Sequence, residues 1–438
     1  MSHTLASLKS GSLIGLTRLK MSCGLTEFPE EILELKETLE VLDLSDNQLS
    51  ELPKGISMLK NLKIIFFANN NFKTFPRILA SLPSLTMIGF KSNVIDFVPE
   101  NSFPKKLRWL VLTNNKIKQL PKSIGACHLL QKCALAGNLL KELPIEMSNC
   151  RNLELLRVSA NQLISIPSWL VELPKLSWVA FNGNPAARKA ATISDLASYD
   201  WNDFSVEDLL GEGASGVISK ATWKTKNEEI AIKVFKGTVT SDGLPDDEME
   251  ISIAAGQHDN LVQVLGKIKN HPELKSGLIM KLISKNYLNL GNPPSLDSCT
   301  RDTFSEGAMF SDSQLLRIAT SIASVCVQLH AKGINHGDLY AHNIMINETA
   351  DCLLGDFGAA SMYDVNKELA HSIERVEIRA FGCLLEDVFT LVKEKSELNG
   401  VYAEEREGKW QNLITTCLSA DVKSRPNFAE VLEILTTF

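Results

Sequence analysis

An asparagine recurs every 22 or 23 residues through the first half of the chain, and this period constrains the fold more than any other feature. Each asparagine ends a segment of the form L-x-x-L-x-L-x-x-N, in which other apolar residues replace some leucines. One such unit cannot bury its own leucines, so successive units must stack to form a continuous core. The pattern therefore predicts a solenoid of about eight units between Leu16 and Pro185. The recurring residues are Asn47, Asn70, Asn93, Asn115, Asn138, Asn161 and Asn184.

A second pattern, L-x-x-L-P-x-x-I, follows most of these asparagines, as in the segment from Leu49 to Ile56. Together the two patterns resemble leucine-rich repeats. The resemblance implies an α/β solenoid over residues 1–185, with one short strand, a proline-marked turn and a return segment in each unit. We expect the asparagine side chains to be buried and to bond to neighbouring backbone, which is a structural role and not a catalytic one.

One strand position is apolar in six of seven repeats, although it should face the concave side of such a solenoid. The position is occupied by Val41, Ile64, Met87, Trp109, Lys132, Leu155 and Trp178. Aromatic residues in an exposed stripe are typical of a contact surface, although ordinary protein surfaces are also partly apolar. We predict that a protein partner or substrate, or the second half of the chain, docks there around Trp109 and Trp178.

A glycine-rich loop follows a linker predicted at residues 186–204. Leu210 to Ile218 reads L-G-E-G-A-S-G-V-I, which places glycines at 211, 213 and 216. A dinucleotide-binding loop would continue directly into a helix. Here the next residues, Val217 to Trp223, have the pattern of a strand, and Ile230-Ala231-Ile232-Lys233 predicts another. A glycine loop between strands with a lysine beyond it is typical of a phosphate-binding hairpin.

Four further motifs follow in order: H-G-D-L-Y-A-H-N from His336 to Asn343, Asp356-Phe357-Gly358, Ile378 to Gly382, and Ser424-Arg425-Pro426. With the glycine loop and the lysine strand, this series resembles a protein kinase domain. The resemblance implies an α+β two-lobed fold over residues 205–438 and the use of ATP and Mg²⁺.

The resemblance also assigns site residues. Lys233 would contact the α- and β-phosphates and pair with a helical glutamate, either Glu248, which shares a face with Ile251 and Ala255, or Glu250. Asp338 would orient the acceptor hydroxyl and take its proton. The remaining predicted ATP-binding residues are Gly211, Gly213, Gly216, Ile218 and Met280, and the predicted Mg²⁺ ligands are Asn343 and Asp356. His336 is expected to be a packed structural residue.

Three departures from the kinase pattern affect the functional prediction. Gly337 replaces an arginine that in many kinases pairs with a phosphorylated activation loop, no A-P-E motif follows Gly358, and Tyr340 stands where serine/threonine kinases have lysine. We predict a serine/threonine protein kinase whose repeats recruit a protein partner or substrate, with tyrosine specificity open. The alternatives are a small-molecule phosphotransferase of the aminoglycoside or choline kinase type, which shares H-G-D, and a pseudokinase scaffold.

Charge and cysteine content bear on partners and compartment. The chain has 438 residues and a net charge of -7, which argues against a nucleic-acid-binding face. No uninterrupted apolar run long enough for a membrane-spanning helix occurs. Nine scattered cysteines without a Cys-x-x-Cys pair predict reduced thiols. We therefore expect a cytoplasmic protein, with delivery as an effector by a signal-less route left open.

Overall fold

The computed structural model describes residues 3–189, 196–237, 239–392 and 400–438. The chain divides into two compact units. The first comprises Met1–Leu173 and Asn184–Ala186, and the second comprises Pro174–Gly183 and Ala187–Phe438. Within the predicted linker, residues 190–195 lie outside the described residues.

The first unit is built on short parallel strands, one from each repeat. Each residue pairs with its equivalent one repeat later, so that Leu42 lies opposite Ile65. The central residue of each strand is fully buried, as the repeat pattern predicts. The strands, in sheet and chain order, are β1 (Arg18–Lys20), β2 (Val41–Asp43), β3 (Ile64–Phe66), β4 (Met87–Gly89), β5 (Trp109–Val111), β6 (Lys132–Ala134) and β7 (Leu155–Arg157).

The return segments are mainly single turns of 3₁₀ helix. Five of them follow a proline whose extended backbone starts the turn, with Pro53 and Pro121 as examples. Proline suits this place because it lacks the N–H that a first helical residue leaves unbonded. The helical segments are α1 (Leu5–Lys9), α2 (Ser168–Val171) and the 3₁₀ turns Glu30–Leu35, Lys54–Met58, Arg77–Ser81, Lys122–Ala126 and Ile145–Asn149.

The recurrent asparagines form a buried ladder, which confirms their predicted structural role. Asn115 is typical: its Nδ2 donates to Phe90 O at 2.9 Å and to Leu112 O at 3.0 Å, and its Oδ1 accepts from the Ile95 N–H at 3.0 Å. Each side chain thus satisfies backbone groups in its own repeat and in the one before. The residue before each asparagine takes a positive φ; in the first unit these are Asp46, Asn69, Ser92, Asn114, Gly137 and Ala160.

The second unit contains a six-stranded sheet. Its strands are β9 (Ser198–Asp200), β10 (Phe204–Glu212), β11 (Gly216–Trp223), β12 (Glu228–Phe235), β13 (Val264–Lys269) and β14 (Gly277–Lys281). They lie in the order β10-β11-β12-β14-β13-β9. A core cluster packs Ile230 and Ile232 against Trp223 and Phe204.

Strand β9 lies inside the predicted linker and pairs in parallel with β13. Its Tyr199 ring packs edge-on to Trp223, with centroids 4.5 Å apart. Gly266 of β13 makes the pairing possible, because a Cβ there would lie 2.8 Å from the Tyr199 ring. Strand β9 was not predicted from the sequence, because three residues are too few to show an alternating pattern.

Helices and small sheets complete the second unit. Helix α4 begins with a reciprocal capping box between Ser311 and Gln314, and α7 begins with one between Asn427 and Glu430. The helices are α3 (Pro245–Ala255), α4 (Asp312–Ala331), α5 (Ala370–Phe389), α6 (Gly400–Cys417) and α7 (Phe428–Leu435). The remaining strands are β8 (Trp178–Ala180), β15 (Leu288–Asn289), β16 (Ile334–Asn335), β17 (Ile344–Ile346), β18 (Cys352–Leu354) and β19 (Ser361–Met362). The parallel repeats followed by a mixed sheet with helices confirm the predicted fold class.

Candidate active site

The glycine-rich loop joins strands β10 and β11 as an antiparallel hairpin. Gly211 pairs with Ile218, and the Gly213 N–H donates to Gly216 O at 3.0 Å. A Cβ at Gly216 would lie 2.7 Å from Val234 O, so this position accepts only glycine, whereas Gly211 and Gly213 have open space around them. The hairpin therefore presents a bare backbone at its tip, which can approach phosphate oxygens.

Lys233 and Glu248 form a buried ion pair between strand β12 and helix α3. Their side chains are 12% and 3% exposed. Burial raises the pKa of Glu248, and the Asp356 carboxylate adds to this, although Lys233 opposes it. Glu250 is exposed on the same helix, so Glu248 is the partner of Lys233 in this structure. Ile251 and Ala255 are buried on the Glu248 face of the helix.

The two remaining predicted ATP-binding residues, Ile218 and Met280, lie on strands next to that of Lys233. Ile218 pairs directly with Lys233 across β11 and β12. Met280 is half-buried near the end of β14 and pairs with Ala231. Both side chains therefore flank the lysine strand, one on each neighbouring strand.

Asp338 and Asn343 are hydrogen-bonded to each other in the loop between β16 and β17. This loop, residues 336–343, is here called the catalytic loop. Asn343 Nδ2 donates to Asp338 Oδ2 at 2.8 Å and to Asp338 O at 2.9 Å. Both amide hydrogens are thus directed to Asp338, which leaves the amide oxygen of Asn343 available to a cation. The Gly355 N–H donates to Asn343 O at 3.1 Å and brings the next motif alongside.

Asp356 is exposed and adopts a left-handed backbone with φ of +56°. Its Oδ1 accepts the Gly358 N–H at 3.1 Å, which fixes the turn. Asn343 and Asp356 supply the amide and carboxylate oxygens that Mg²⁺ prefers, so the residues present fit this ion. In the described part of the chain, no cluster of three or more His, Cys, Asp or Glu side chains offers another metal site.

A buried network beneath the catalytic loop was not predicted from the sequence. Glu377 of α5 accepts the N–H groups of His336 and Gly337 at 3.0 and 2.6 Å, and His330 Nε2 lies 2.9 Å from it. Burial opposes the charge of Glu377, but His330, His336 and the Gly337 amide hold its pKa below the ordinary value. His336 is fully buried, and its Nε2 lies 2.9 Å from Gly355 O. His336 is therefore a packed structural residue, as predicted.

Trp178 differs from the sequence prediction. The side chain is 1% exposed, so it is not part of an open contact surface. Its ring stacks on Tyr340 at a centroid distance of 4.3 Å, and its Nε1 donates to Leu339 O at 3.1 Å. The prediction of an exposed partner surface is therefore wrong for this residue, whereas the alternative that the second half of the chain packs around Trp178 is confirmed. Met87 and Leu155, which occupy the same position in their repeats, are also buried. The repeat period correctly placed the strand of Trp178, but it did not decide between the two options.

Trp109 remains partly accessible on strand β5 of the first unit. It is half-buried, and Lys132 Nζ lies 4.3 Å from the ring centroid, within the range of a cation–π contact. Its indole Nε1 is buried without a hydrogen-bond partner.

Comparison with known families identifies both regions. The protein kinase domain model matches residues 204–375, and a leucine-rich-repeat model matches residues 37–95. The fold and the site thus define a protein with a repeat region and a phosphotransferase region. The chain carries leucine-rich repeats and a protein kinase domain, and such a domain implies the use of ATP.

Several curated proteins resemble parts of the chain. An L-type lectin-domain containing receptor kinase of Oryza sativa is 33% identical over 37% of the chain and 23% of its own length. The megakaryocyte-associated tyrosine-protein kinase of Rattus norvegicus is 28% identical over 60% of the chain and 58% of its own length. Fibroblast growth factor receptor 1 of Pleurodeles waltl is 26% identical over 52% of the chain and 33% of its own length. The chain thus spans less than two thirds of each of these relatives.

A solved leucine-rich-repeat protein of Leptospira interrogans is 29% identical, with a TM-score of 0.40, over 43% of the chain and 48% of its own. None of the helices in the described part of the chain combines the length and hydropathy of a transmembrane span.

Proposed function

We propose that the chain is an ATP- and Mg²⁺-dependent protein kinase that phosphorylates serine or threonine side chains of proteins. The observation that carries the proposal is the buried Lys233–Glu248 ion pair, because it holds the lysine ready for the phosphates. A pseudokinase would not require this pair together with an ordered Asp338 and Asn343.

Each side chain has a distinct task in this reaction. The hairpin at Gly211–Gly216 covers the phosphates, and Lys233 neutralises charge on the α- and β-phosphates. Asn343 and Asp356 would hold Mg²⁺, which would supply positive charge to neutralise the transferred group. Asp338 accepts the proton of the acceptor hydroxyl as that oxygen bonds to the γ-phosphorus. The bond between this phosphorus and the bridging oxygen breaks, and ADP leaves.

The acceptor class rests on residues near Asp338. Phe357 of the Asp-Phe-Gly motif is buried, with its ring 5.2 Å from that of His336, and the glycine triplet is complete. Both features favour a protein kinase over a small-molecule phosphotransferase, which remains the second candidate because of Gly337. The arginine of tyrosine kinases is absent after Asp338, and this favours serine or threonine.

The test is transfer from radiolabelled ATP to generic proteins and, separately, to aminoglycosides and choline. We expect labelled protein that contains phosphoserine or phosphothreonine and no labelled small molecule. The matched control is Asp338→Asn, which keeps the side-chain volume but removes the proton acceptor. Labelling of a small molecule alone would favour the second candidate, and equal labelling by the Asn variant would contradict the role of Asp338.

We further propose that the repeat region recruits a protein partner or substrate through the face that carries Trp109. The accessible part of this indole on a rigid strand supports the proposal, since aromatic anchors lose little entropy when covered. Trp109→Ala is expected to raise the apparent KM for a native target by about tenfold and to leave autophosphorylation unchanged. An unchanged KM would contradict the proposed surface.

A reducing, cytoplasmic location is also proposed. All nine cysteines are free, and eight of them are buried. Retention of activity in reducing buffer, with loss on oxidation, would agree with it.

A further inference from the structure

The segment Pro174–Gly183, here called the crossing segment, has the sequence of a repeat but belongs to the kinase unit. Its strand β8 lies against the catalytic loop. Trp178 stacks on Tyr340 with an interplanar angle of 8°, and Trp178 Nε1 bonds to Leu339 O. These contacts act on the two residues directly after Asp338.

The same strand also fixes the residues before Asp338. Asn335 Nδ2 donates to Val179 O at 2.9 Å. Val179 O also lies 2.6 Å from the position that a Cβ at Gly337 would take. The crossing segment therefore contacts the loop on both sides of the proposed proton acceptor.

The end of the crossing segment holds the residues that follow Asp356-Phe357-Gly358. The N–H groups of Phe181 and Asn182 donate to Ser361 Oγ at 2.8 and 3.1 Å. The Met362 N–H lies 3.3 Å from Asn182 Oδ1. Burial raises the pKa of Asp247, which is adjacent to Glu248 on α3, and the Asn182 side chain opposes this shift.

The start of the crossing segment is anchored on two other parts of the unit. Arg425, which is 1% exposed, donates from Nη2 to Pro174 O at 2.8 Å. Arg379 of α5 donates from Nε to Lys175 O at 3.2 Å. Burial lowers the pKa of Arg425 to about 10, and its guanidinium also bonds to Arg375 O and Ser419 O. A buried cation with these backbone acceptors makes a fixed attachment point.

Residues 359–369 join Gly358 to helix α5, which begins at Ala370. We propose that the crossing segment holds the catalytic loop in place, and that Trp178 is a positioning residue for this loop. The inference rests on the proposed function and adds to it a catalytic unit that begins at Pro174. Trp178 acts through Leu339 and Tyr340, which set the direction of the Asp338 carboxylate toward the acceptor.

The test uses the full chain with Trp178→Ala and Trp178→Phe. The matched control is Trp410→Phe, because Trp410 is equally buried, and its Nε1 donates to Asp312 Oδ1 at 2.7 Å. That hydrogen bond joins α6 to α4, and neither of its residues lies in the catalytic loop. Rates are measured well below the unfolding temperature of every variant, with ATP and a generic protein acceptor varied separately.

We expect Trp178→Ala to lower kcat by about tenfold or more and to leave KM for ATP within about twofold, since the ATP contacts are intact. Trp178→Phe keeps the stacking and loses only the hydrogen bond, so it should recover most of kcat. Trp410→Phe should leave kcat within about twofold of the wild type. A kcat equal to the wild type in Trp178→Ala, or a loss matched by Trp410→Phe, would overturn the proposal. An increase in kcat would also overturn the proposal, since the crossing segment would then inhibit the catalytic loop and not position it.

Amide hydrogen exchange separates this inference from the proposed function. Trp178→Ala is expected to speed exchange in residues 335–343, whereas Trp410→Phe is not. If the wild type transfers no phosphate, the proposed function fails, and exchange alone then decides whether the crossing segment orders the loop. Unchanged exchange in Trp178→Ala would overturn the inference even if the enzyme is active.

Discussion

Val179 O occupies the space next to Gly337 that any larger residue would need. It lies 2.6 Å from the Cβ position of residue 337, and Ala359 O lies 2.7 Å from it, while Gly337 itself has a φ of +71°. In the sequence, Gly337 replaces an arginine that in many kinases pairs with a phosphorylated activation loop, which suggests that this chain has no such phosphate to pair with. The structure adds a steric reason, because neither the space nor the backbone angle accepts a side chain there.

Gly337→Ala is therefore expected to destabilise the kinase unit by about 2–4 kcal/mol, from positive-φ strain and overpacking together. Gly337→Arg, which restores the common kinase residue, should cost at least as much and lower activity. Gly408→Ala is the control, since no atom lies within 4 Å of its Cβ position in helix α6. It should stabilise by up to about 1 kcal/mol. Urea denaturation measures all three, and a neutral Gly337→Ala would contradict the steric argument.

Lys233→Met and Asp356→Asn are each expected to abolish phosphate transfer, a loss of about a thousandfold or more. The first removes the proposed phosphate contact, and the second weakens the proposed cation ligand without leaving a buried charge, because Asp356 is exposed. Transfer to a generic protein is the measurement.

Lys220→Met provides the control for these variants. Lys220 lies on neighbouring strand β11 and pairs with Glu207 and Glu229 at the surface. It should retain nearly full activity, because exposed ion pairs contribute little. Substantial transfer by Lys233→Met would remove the assignment of the lysine.

Activity should not depend on phosphorylation of the segment after Gly358. Ser361 is fully buried and accepts two N–H groups, and Tyr363 is buried with its hydroxyl 2.8 Å from His330 Nδ1. Neither hydroxyl can reach an active site without local unfolding. The third hydroxyl residue, Ser372, is half-buried. Phosphatase treatment is expected to change the rate by less than about twofold. A tenfold loss, about 1.4 kcal/mol of barrier, would contradict this, and Ser372→Ala checks the third acceptor.

Glu377→Gln is expected to destabilise the kinase unit by about 2 kcal/mol near neutral pH, since two loop amides lose a charged acceptor. The folded-state pKa of Glu377 is below the ordinary 4.5, so its contribution is full above that pH. The contribution is lost as the pH falls through the folded-state pKa. The free-energy difference between wild type and variant should therefore narrow in acid. Denaturation at several pH values measures it, and a difference that grows in acid would contradict the assignment.

The features that could be predicted from the sequence are those that depend on short-range patterns of residues. The asparagine period gave the strands of the repeats and the hydrogen-bond ladder, and helical spacing favoured Glu248 over Glu250 as the partner of Lys233. Docking of the second half of the chain around Trp178 was one of two open options, but the particular contacts with Leu339 and Tyr340 could not be predicted. They join residues about 160 positions apart without a shared pattern. Glu377 was missed for a similar reason, since its partners are backbone N–H groups that leave no mark on the sequence.

The path of the chain between the two units has a consequence for how such proteins can recombine. The first unit comprises Met1–Leu173 and Asn184–Ala186, whereas the intervening Pro174–Gly183 belongs to the second unit. A single crossover or proteolytic cut at any peptide bond in this stretch would leave at least one unit without residues it uses. Exchanging the repeat array for another would have to leave Pro174–Gly183 with the kinase and still provide a segment equivalent to Asn184–Ala186. The repeats and the kinase are therefore expected to be inherited together, as one module.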